Sequence, residues 1–303
     1  MSIVLSLLTQ ILHLGLMIAA APMVAGLTDW LDARLTLRGG PPILLPWRDL
    51  VRLSRKTPML IESVSVVSRV APAVGFGATL SAAAIIPSFT LGMAFSPLAD
   101  VLVIVSLLTI ARVAGALAAL DSGAALPGLM QQENCALAVL AEPALMLAVV
   151  TLALMSGSFS LELIVGQQRE GVLLPGAASA LALTTLLALV FADASGRPAD
   201  QTFGGIDLAM SRATGWLRRL IWIDLIGAMF LPVGIANAED GPLFWLVGLA
   251  FWALRLGAFL LGLSVVRTLL GPMPHRGLPD LIGVAALLAL LATIMVLASS
   301  VMA

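Results

Sequence analysis

The chain has 303 residues, of which 60% are hydrophobic and 11% are charged, and its mean hydropathy is +1.07. Soluble globular proteins carry about a quarter of their residues as charges. This composition excludes an ordinary soluble protein and predicts one whose main solvent is lipid. The net charge of −1 says little about partners, because acids and bases are spread unequally between apolar segments and loops.

The content of cysteine and histidine limits the chemistry of the chain. Its one cysteine, Cys135, cannot form an internal disulfide, and no cysteine cluster exists that could hold zinc or an iron–sulfur centre. Of the two histidines, only His13 lies in an apolar segment, which argues against a haem held by two histidines. We therefore expect no cofactor bound by this chain. We also expect no nucleic acid partner.

Eight apolar stretches have the roughly 20 residues that a transmembrane helix needs. They cover residues 3–27, 64–89, 98–120, 134–157, 172–194, 216–235, 242–266 and 278–302. The first lacks a basic n-region and a small-residue cleavage site, so we interpret it as the first span and not as a removable signal peptide. The sequence predicts an all-α fold, in which residues 1–303 form a single membrane domain with about eight spans.

The basic residues predict the orientation of these spans. Loops 1–2, 5–6 and 7–8 hold 12 of the 16 basic residues, which are Arg34, Arg38, Arg48, Arg52, Arg55, Lys56, Arg197, Arg212, Arg218, Arg219, Arg267 and Arg276. The positive-inside rule places these loops in the cytoplasm and both termini in the periplasm of a bacterial inner membrane. On the opposite side, Glu162, Glu170, Glu239 and Asp240 are predicted to be solvated loop residues.

Loop 1–2 contains a predicted short amphipathic helix over residues 46–56. Trp47, Leu50 and Leu53 share one face at a spacing of three residues, while Arg48 and Arg52 take another. This pattern is typical of a helix on a membrane surface and equally of a docking surface for another protein. Both interpretations remain open at this point.

Several ionisable residues lie within or at the end of the predicted spans. Each costs about 2.5–3.5 kcal/mol at membrane depth on insertion scales, so such groups usually pair or line a hydrated path. Their positions predict a cluster toward the cytoplasmic half, formed by Arg69, Arg112, Glu142, Asp193, Asp224 and Arg255. The cluster is either a hydrated chamber in which the acids exchange protons or a set of static interhelical ion pairs.

The sequence ARLTLRGGPPILLPWRDLVRL at residues 33–53 resembles the A-R-x-x-x-R-x-G-P-x-x-L-Q-P-x-x-D-x-x-K-L signature of the complex I subunit 1 family. Within that family it is most similar to the membrane subunits of group 4 hydrogenases, formate hydrogenlyase subunit 4 and hydrogenase-4 component C, whose Tyr-Arg-Asp form is echoed by Trp47-Arg48-Asp49. Further matches follow in order, with RVAP at 69–72, AR at 111–112, ALDSG at 119–123, VLAEP at 139–143 and GRPAD at 196–200.

The resemblance implies an eight-span membrane subunit that anchors the hydrophilic arm of a complex-I-like machine. The implied partners are hydrogenase-like small and large subunits, which would hold iron–sulfur and nickel–iron centres, and antiporter-like membrane subunits; a quinone site stays undetermined. The implied docking residues are Arg34, Arg38, Arg48, Asp49 and Arg52. The implied path that couples electron transfer to proton translocation centres on Glu142, followed by Arg112, Asp121, Asp193 and Asp200, with Asp207, Asp224, Arg69 and Arg255 as further candidates.

The chain also departs from the family pattern. After the Pro-x-Asp motif of loop 5–6, where relatives carry a run of glutamates followed by E-Y-S-G, residues 201–212 contain Asp207 as their one acid. Leu45 replaces a glutamine, and Arg267 stands where a glutamate is usual. With these acids missing, two other functions remain open, namely a stand-alone secondary ion transporter and a purely structural membrane anchor.

Overall fold

The computed structural model describes residues 2–57, 65–121, 125–170, 176–195, 203–271 and 277–302, and almost all of them are helical. The helices are α1 (Ser2–Leu35), α2 (Leu45–Ser54), α3 (Val66–Ile85), α4 (Val101–Asp121), α5 (Ala125–Ser156), α6 (Leu161–Arg169), α7 (Ala177–Ser195), α8 (Gly205–Phe230), α9 (Pro242–Leu270) and α10 (Leu278–Met302). This architecture confirms the all-α prediction.

Six of these helices are long and apolar enough to cross a membrane, namely α1, α3, α4, α5, α9 and α10. The apolar part of α7, Ala177–Asp193, is shorter, and α8 is long but carries several charges in its first half. Each of the eight predicted spans falls on one of these eight helices. The chain is therefore an all-α, multi-pass membrane protein.

Helix α8 lies at the centre of the bundle and contacts α1, α2, α3, α6, α7 and α9. Its second half is buried almost without interruption, from Leu220 to Met229. The helix extends beyond the predicted span at its start, because it begins at Gly205 and not near residue 216. Hydropathy ends a span where charges begin, whereas here the charged first half of α8 contacts other helices and stays helical.

The other helices form two groups. In the first, α1 and α3 contact α8 and each other, α9 packs on α1, and α4 packs on α3. In the second, α5, α7 and α10 pack on one another and are joined to the rest through contacts of α5 with α4 and of α7 with α8. Hydroxyl contacts strengthen this second group, with Thr151 Oγ1 and Thr293 Oγ1 2.9 Å apart.

The bundle has two chemically different ends. We call the end that holds α2, the C-terminus of α1 and the N-terminus of α8 the basic end, and the opposite end the outer end. At the outer end, the parallel strands β1 (Thr90–Leu91) and β2 (Ala236–Asn237) form a short ribbon. Helix α6 also lies there, and Glu162 on it accepts a hydrogen bond from the Gly92 N–H at 2.8 Å. Glu162 therefore lies on a helix and not in the predicted loop.

The start of α8 is fixed by a close backbone approach. Gly205 has φ of +59°, which L residues with a side chain rarely adopt. A Cβ at this position would lie 2.5 Å from the carbonyl oxygen of Thr57, in the segment that follows α2. Only glycine therefore lets α8 begin against that segment.

Replacing Gly205 with alanine is expected to destabilise the protein. The left-handed conformation alone costs about 1–2 kcal/mol for a residue with a Cβ, and the clash with Thr57 adds to it. Thermal unfolding of the detergent-purified chain, followed by size-exclusion chromatography after heating, measures the effect. The matched control is Gly215→Ala in the same helix, where an added Cβ meets nothing within 4 Å. Equal unfolding temperatures for the two variants would contradict this explanation.

Candidate functional site: an arginine–aspartate belt

Helix α8 carries three arginines, between residues 212 and 219, that each contact a different helix. Arg212 lies 3.6 Å from Asp49 on α2, measured from NH1 to Oδ2. Arg218 donates from Nε to Oδ2 of Asp193 on α7 at 3.1 Å. Arg219 donates from NH1 to Thr28 Oγ1 on α1 at 3.1 Å. The arginines thus explain why a charged segment remains helical inside the bundle.

Asp193 lies between two cations. Its Oδ2 accepts from Arg218, and its Oδ1 is 3.7 Å from Arg112 NH2 on α4. About a fifth of each of the Asp193 and Arg112 side chains is exposed, so the group is shielded without being sealed from solvent. Asp193 and Arg112 are both candidates predicted from the sequence, and the structure brings the two together through the last part of α7.

Glu142 lies on α5 near this contact and is half-buried. Its carboxylate acts electrostatically on Arg112, although the described residues include no direct ion pair of Glu142. Arg112 Nε is buried and has no hydrogen-bond partner within the described part of the chain. Glu142 and Asp193 are therefore two acids that both interact electrostatically with Arg112.

Two acids on α1 were missed by the sequence analysis. Asp32 Oδ2 is 3.3 Å from Arg267 NH1 on α9, and Asp29 acts electrostatically on Arg219. The predicted first span ended at residue 27, so both acids were assigned to a loop, whereas α1 continues to Leu35. One signal could have found Asp32, because an arginine at position 267, where relatives have a glutamate, requires a compensating acid.

We call this group of charged residues the belt. It contains four arginines and four acids, which are Arg112, Arg218, Arg219, Arg267, Asp29, Asp32, Glu142 and Asp193. The equal numbers matter, because an uncompensated charge is far more costly in a low-dielectric site than a paired one. The belt connects α1, α4, α5, α7, α8 and α9 next to the basic end.

The remaining candidates on this side have other positions. Asp121 at the end of α4 caps α3, because its Oδ2 accepts from Ser68 Oγ at 2.7 Å and from the Ser65 N–H at 3.0 Å. Asp207 is buried in the first turn of α8. Arg69 is exposed near the start of α3. Asp200 lies outside the described residues.

Asp224 and Arg255 do not belong to the belt. Arg255 NH1 donates to the carbonyl oxygen of Leu231 at 3.1 Å, which is the residue that ends α8 toward the outer end. The prediction that both residues join Arg112, Glu142 and Asp193 in one cluster is therefore wrong. For Asp224 the reason is that α8 runs from Gly205 to Phe230, so this residue lies in the last two turns of the helix and not in the first half of the predicted span.

The predicted docking residues lie at the basic end as expected from their loop. Arg34 stacks over the Trp30 ring at 5.2 Å, and Arg52 contacts Asp49 at 2.9 Å. Helix α2 buries Pro46 and Leu53 and contacts α1 and α8, while Arg38, Arg48 and Arg52 are exposed. An open groove of about 630 Å³ beside α2 is lined by Trp30, Gly40, Pro41, Pro42, Ile43, Leu44 and Arg48.

Comparison with known proteins identifies the family. A family model described as NADH dehydrogenase matches residues 8–298, which is nearly the whole chain. The chain belongs to the NADH dehydrogenase family. This assignment confirms the resemblance to complex I subunit 1 that the motifs of loop 1–2 and span 4 indicated.

Two curated relatives come from Escherichia coli K12. The chain is 27% identical to hydrogenase-4 component C over 241 residues, and this alignment covers 73% of this chain and 74% of the relative. It is 31% identical to formate hydrogenlyase subunit 4 over 153 residues, and that alignment covers 50% of each chain. Both are the proteins that the Trp47-Arg48-Asp49 pattern indicated.

A solved structure confirms the fold. A chain of the membrane-bound sulfane sulfur reductase, an archaeal respiratory membrane complex, superposes with a TM-score of 0.80. The match covers 95% of this chain and 98% of that chain at 21% sequence identity. This likeness concerns the fold of the membrane domain.

Replacing Asp193 with asparagine is expected to lower the thermal stability of the purified protein, because Arg112 and Arg218 lose the acid between them. Removing one partner of a buried pair costs about 3–5 kcal/mol, and partial exposure of this pair reduces the loss to about 1–3 kcal/mol. The control is Glu239→Gln, an exposed acid at the outer end. The double variant Asp193→Asn/Arg218→Gln should lose less than the sum of the single losses. Strict additivity would show that the contact has no energetic role.

Proposed function

We propose that this protein is a non-catalytic membrane subunit of a complex-I-like assembly of the group 4 hydrogenase type. It anchors a hydrophilic redox arm and contributes to the coupling of electron transfer to proton translocation. The observation that carries this proposal is the belt. Four acids and four arginines from six helices meet next to the basic end, on a fold shared with a chain of a respiratory membrane complex.

The proposed partners follow from the chemistry of the basic end and from the relatives. Exposed Arg38, Arg48 and Arg52 beside an open groove give a cationic face suited to a soluble protein with complementary acids. The names of the relatives, hydrogenase-4 component C and formate hydrogenlyase subunit 4, support partner subunits in a hydrogenase-type complex. We propose that these include a hydrogenase-like small subunit with iron–sulfur centres and a large subunit. We further propose antiporter-like membrane subunits as lateral partners. Redox centres would belong to the partners.

The proposed orientation places the basic end in the cytoplasm of a bacterial inner membrane, with both chain termini in the periplasm. The positive-inside rule supports it, since the described arginines and Lys56 concentrate around α2 and the start of α8. In this orientation the soluble arm sits over the belt. A charge that arrives in the arm then lies on the same side as Asp193 and Glu142.

The belt offers a physical means of coupling. Arg112 interacts electrostatically with both Asp193 and Glu142, and Arg218 also contacts Asp193. The positive charge of the two arginines is therefore compensated by two acids together. When one acid takes up a proton from water, the arginines favour the remaining carboxylate. Because Arg212, Arg218 and Arg219 lie on one helix, such a change acts on α2, α7 and α1 together.

Affinity purification tests the proposed assembly. The tagged full chain, expressed in its native host and extracted in a mild detergent, should recover an iron–sulfur small subunit, a large subunit and antiporter-like subunits by mass spectrometry. The variant Arg48→Glu/Arg52→Glu should lose the soluble subunits and keep the membrane subunits, because it reverses charge at the basic end only. Its control is Arg169→Glu, an exposed arginine on α6 at the outer end.

Recovery of the wild-type chain as a lone monomer would contradict membership of an assembly. In that case, ion flux by the purified chain in liposomes would point to the alternative of a stand-alone transporter. Retention of the soluble subunits by the charge-reversed variant would contradict docking at the basic end.

A further inference from the structure

Asp224 is a buried acid with very few partners. Its side chain lies in the last two turns of α8, and the residue is 1% exposed. Oδ1 accepts a hydrogen bond from the Trp252 indole N–H on α9 at 2.8 Å. Oδ2 is buried and has no hydrogen-bond partner within the described part of the chain. A carboxyl group in this setting has one donor for two oxygens.

The nearest arginine does not supply the missing contact. Arg255 on α9 donates to the carbonyl oxygens of Ser88 at 2.7 Å, Leu231 at 3.1 Å and Gly227 at 3.4 Å. Gly227 and Leu231 belong to the C-terminal end of α8, where the helix dipole is negative. The positive charge of Arg255 is therefore compensated by backbone carbonyls, without a direct ion pair to Asp224 among the described salt bridges.

Gly227 fixes this arrangement. An added Cβ at Gly227 would lie 2.9 Å from Arg255 Nε and 3.0 Å from its Cδ. The arginine thus lies across the bare backbone of α8 at this glycine, three residues beyond Asp224. From there its guanidinium reaches the end of the helix and the segment before β1, and not the carboxyl group.

The other ionisable side chain of this region makes its hydrogen bonds elsewhere. His13 Nε2 lies 2.8 Å from the carbonyl oxygen of Ala83 and donates to it. His13 Nδ1 is 2.7 Å from Ser88 Oγ. Both ring nitrogens therefore have partners other than Asp224. Among the described residues, Arg255 is the charged group that acts on Asp224.

An ionised carboxylate under these conditions is unfavourable. A charge buried in a membrane protein needs a direct counter-ion or several donors, and among the described residues Asp224 has one donor, the Trp252 indole. Binding a proton at Oδ2 removes the charge and leaves Oδ1 free to accept from Trp252. The free-energy cost of burying the side chain is then that of a neutral carboxylic acid, which is lower than that of a carboxylate.

We propose that Asp224 is a proton-binding site in the outer half of the protein, independent of the belt, and that it holds its proton in the resting state. The ligand is a proton from water, and Oδ2 is the atom that binds it. Asp224 follows Arg218 by six residues on α8, which places it about 9 Å farther along the axis toward the outer end. The site requires no partner subunit, so its test is separate from that of the proposed assembly.

Infrared spectroscopy of the full-length chain tests this site directly. The variant is Asp224→Asn, which keeps an oxygen acceptor for Trp252 and has the shape of a neutral acid. The wild-type minus variant spectrum at neutral pH should show the C=O stretch of a neutral carboxylic acid. The unfolding temperature should change by about 2 °C or less. Asp193→Asn is the matched control, and its difference spectrum should show carboxylate bands.

Trp252→Phe provides a second measurement that does not alter the acid. Loss of the indole donor should shift the C=O band of a neutral Asp224 to higher frequency. The proposal is overturned if the Asp224→Asn difference spectrum contains carboxylate bands in place of the neutral band. It is equally overturned if Trp252→Phe leaves the acid bands unshifted.

Discussion

The fold depends on the contact between Arg218 on α8 and Asp193 on α7, with Arg112 on the other side of the same carboxylate. Helix α8 is the central element, and its first half is too charged to remain in a membrane bundle unless its charges are compensated. The contacts of Arg212 with Asp49 and of Arg219 with Thr28 extend the same principle to α2 and α1. The charges that disfavour a span in lipid thus become the contacts that hold the bundle together.

Two regions of ionisable groups in the described helices differ in how their charges are compensated. The belt is balanced and partly accessible, with acids and arginines in direct or near contact. The outer region contains Asp224 and Arg255, which do not form an ion pair with each other. Backbone carbonyls compensate the charge of Arg255, and we propose that a bound proton neutralises Asp224. Because α8 contributes residues to both regions, a movement of this helix would affect both regions at once.

Much of the fold was accessible from the sequence because apolar length is a direct signal. Each of the eight predicted spans falls on one helix, and the amphipathic pattern of loop 1–2 found α2. The errors occurred where a charge is compensated within the protein, since hydropathy ended the first span at residue 27 and began the sixth at residue 216. The helix α6 and the ribbon of β1 and β2 were missed because they are short and bury few residues. The same boundary errors hid Asp29 and Asp32 and misplaced Asp224.

The central claim is that the belt takes part in coupling and does not merely hold helices together. The most direct measurement is the number of protons translocated per electron by the purified complex in proteoliposomes, with wild-type chain or Glu142→Gln. Glu142 has no direct ion pair among the described residues, so this variant should leave assembly and electron transfer in detergent intact. We predict a clear fall in the proton-to-electron ratio. An unchanged ratio at full turnover would contradict a coupling role for this acid and favour a structural anchor.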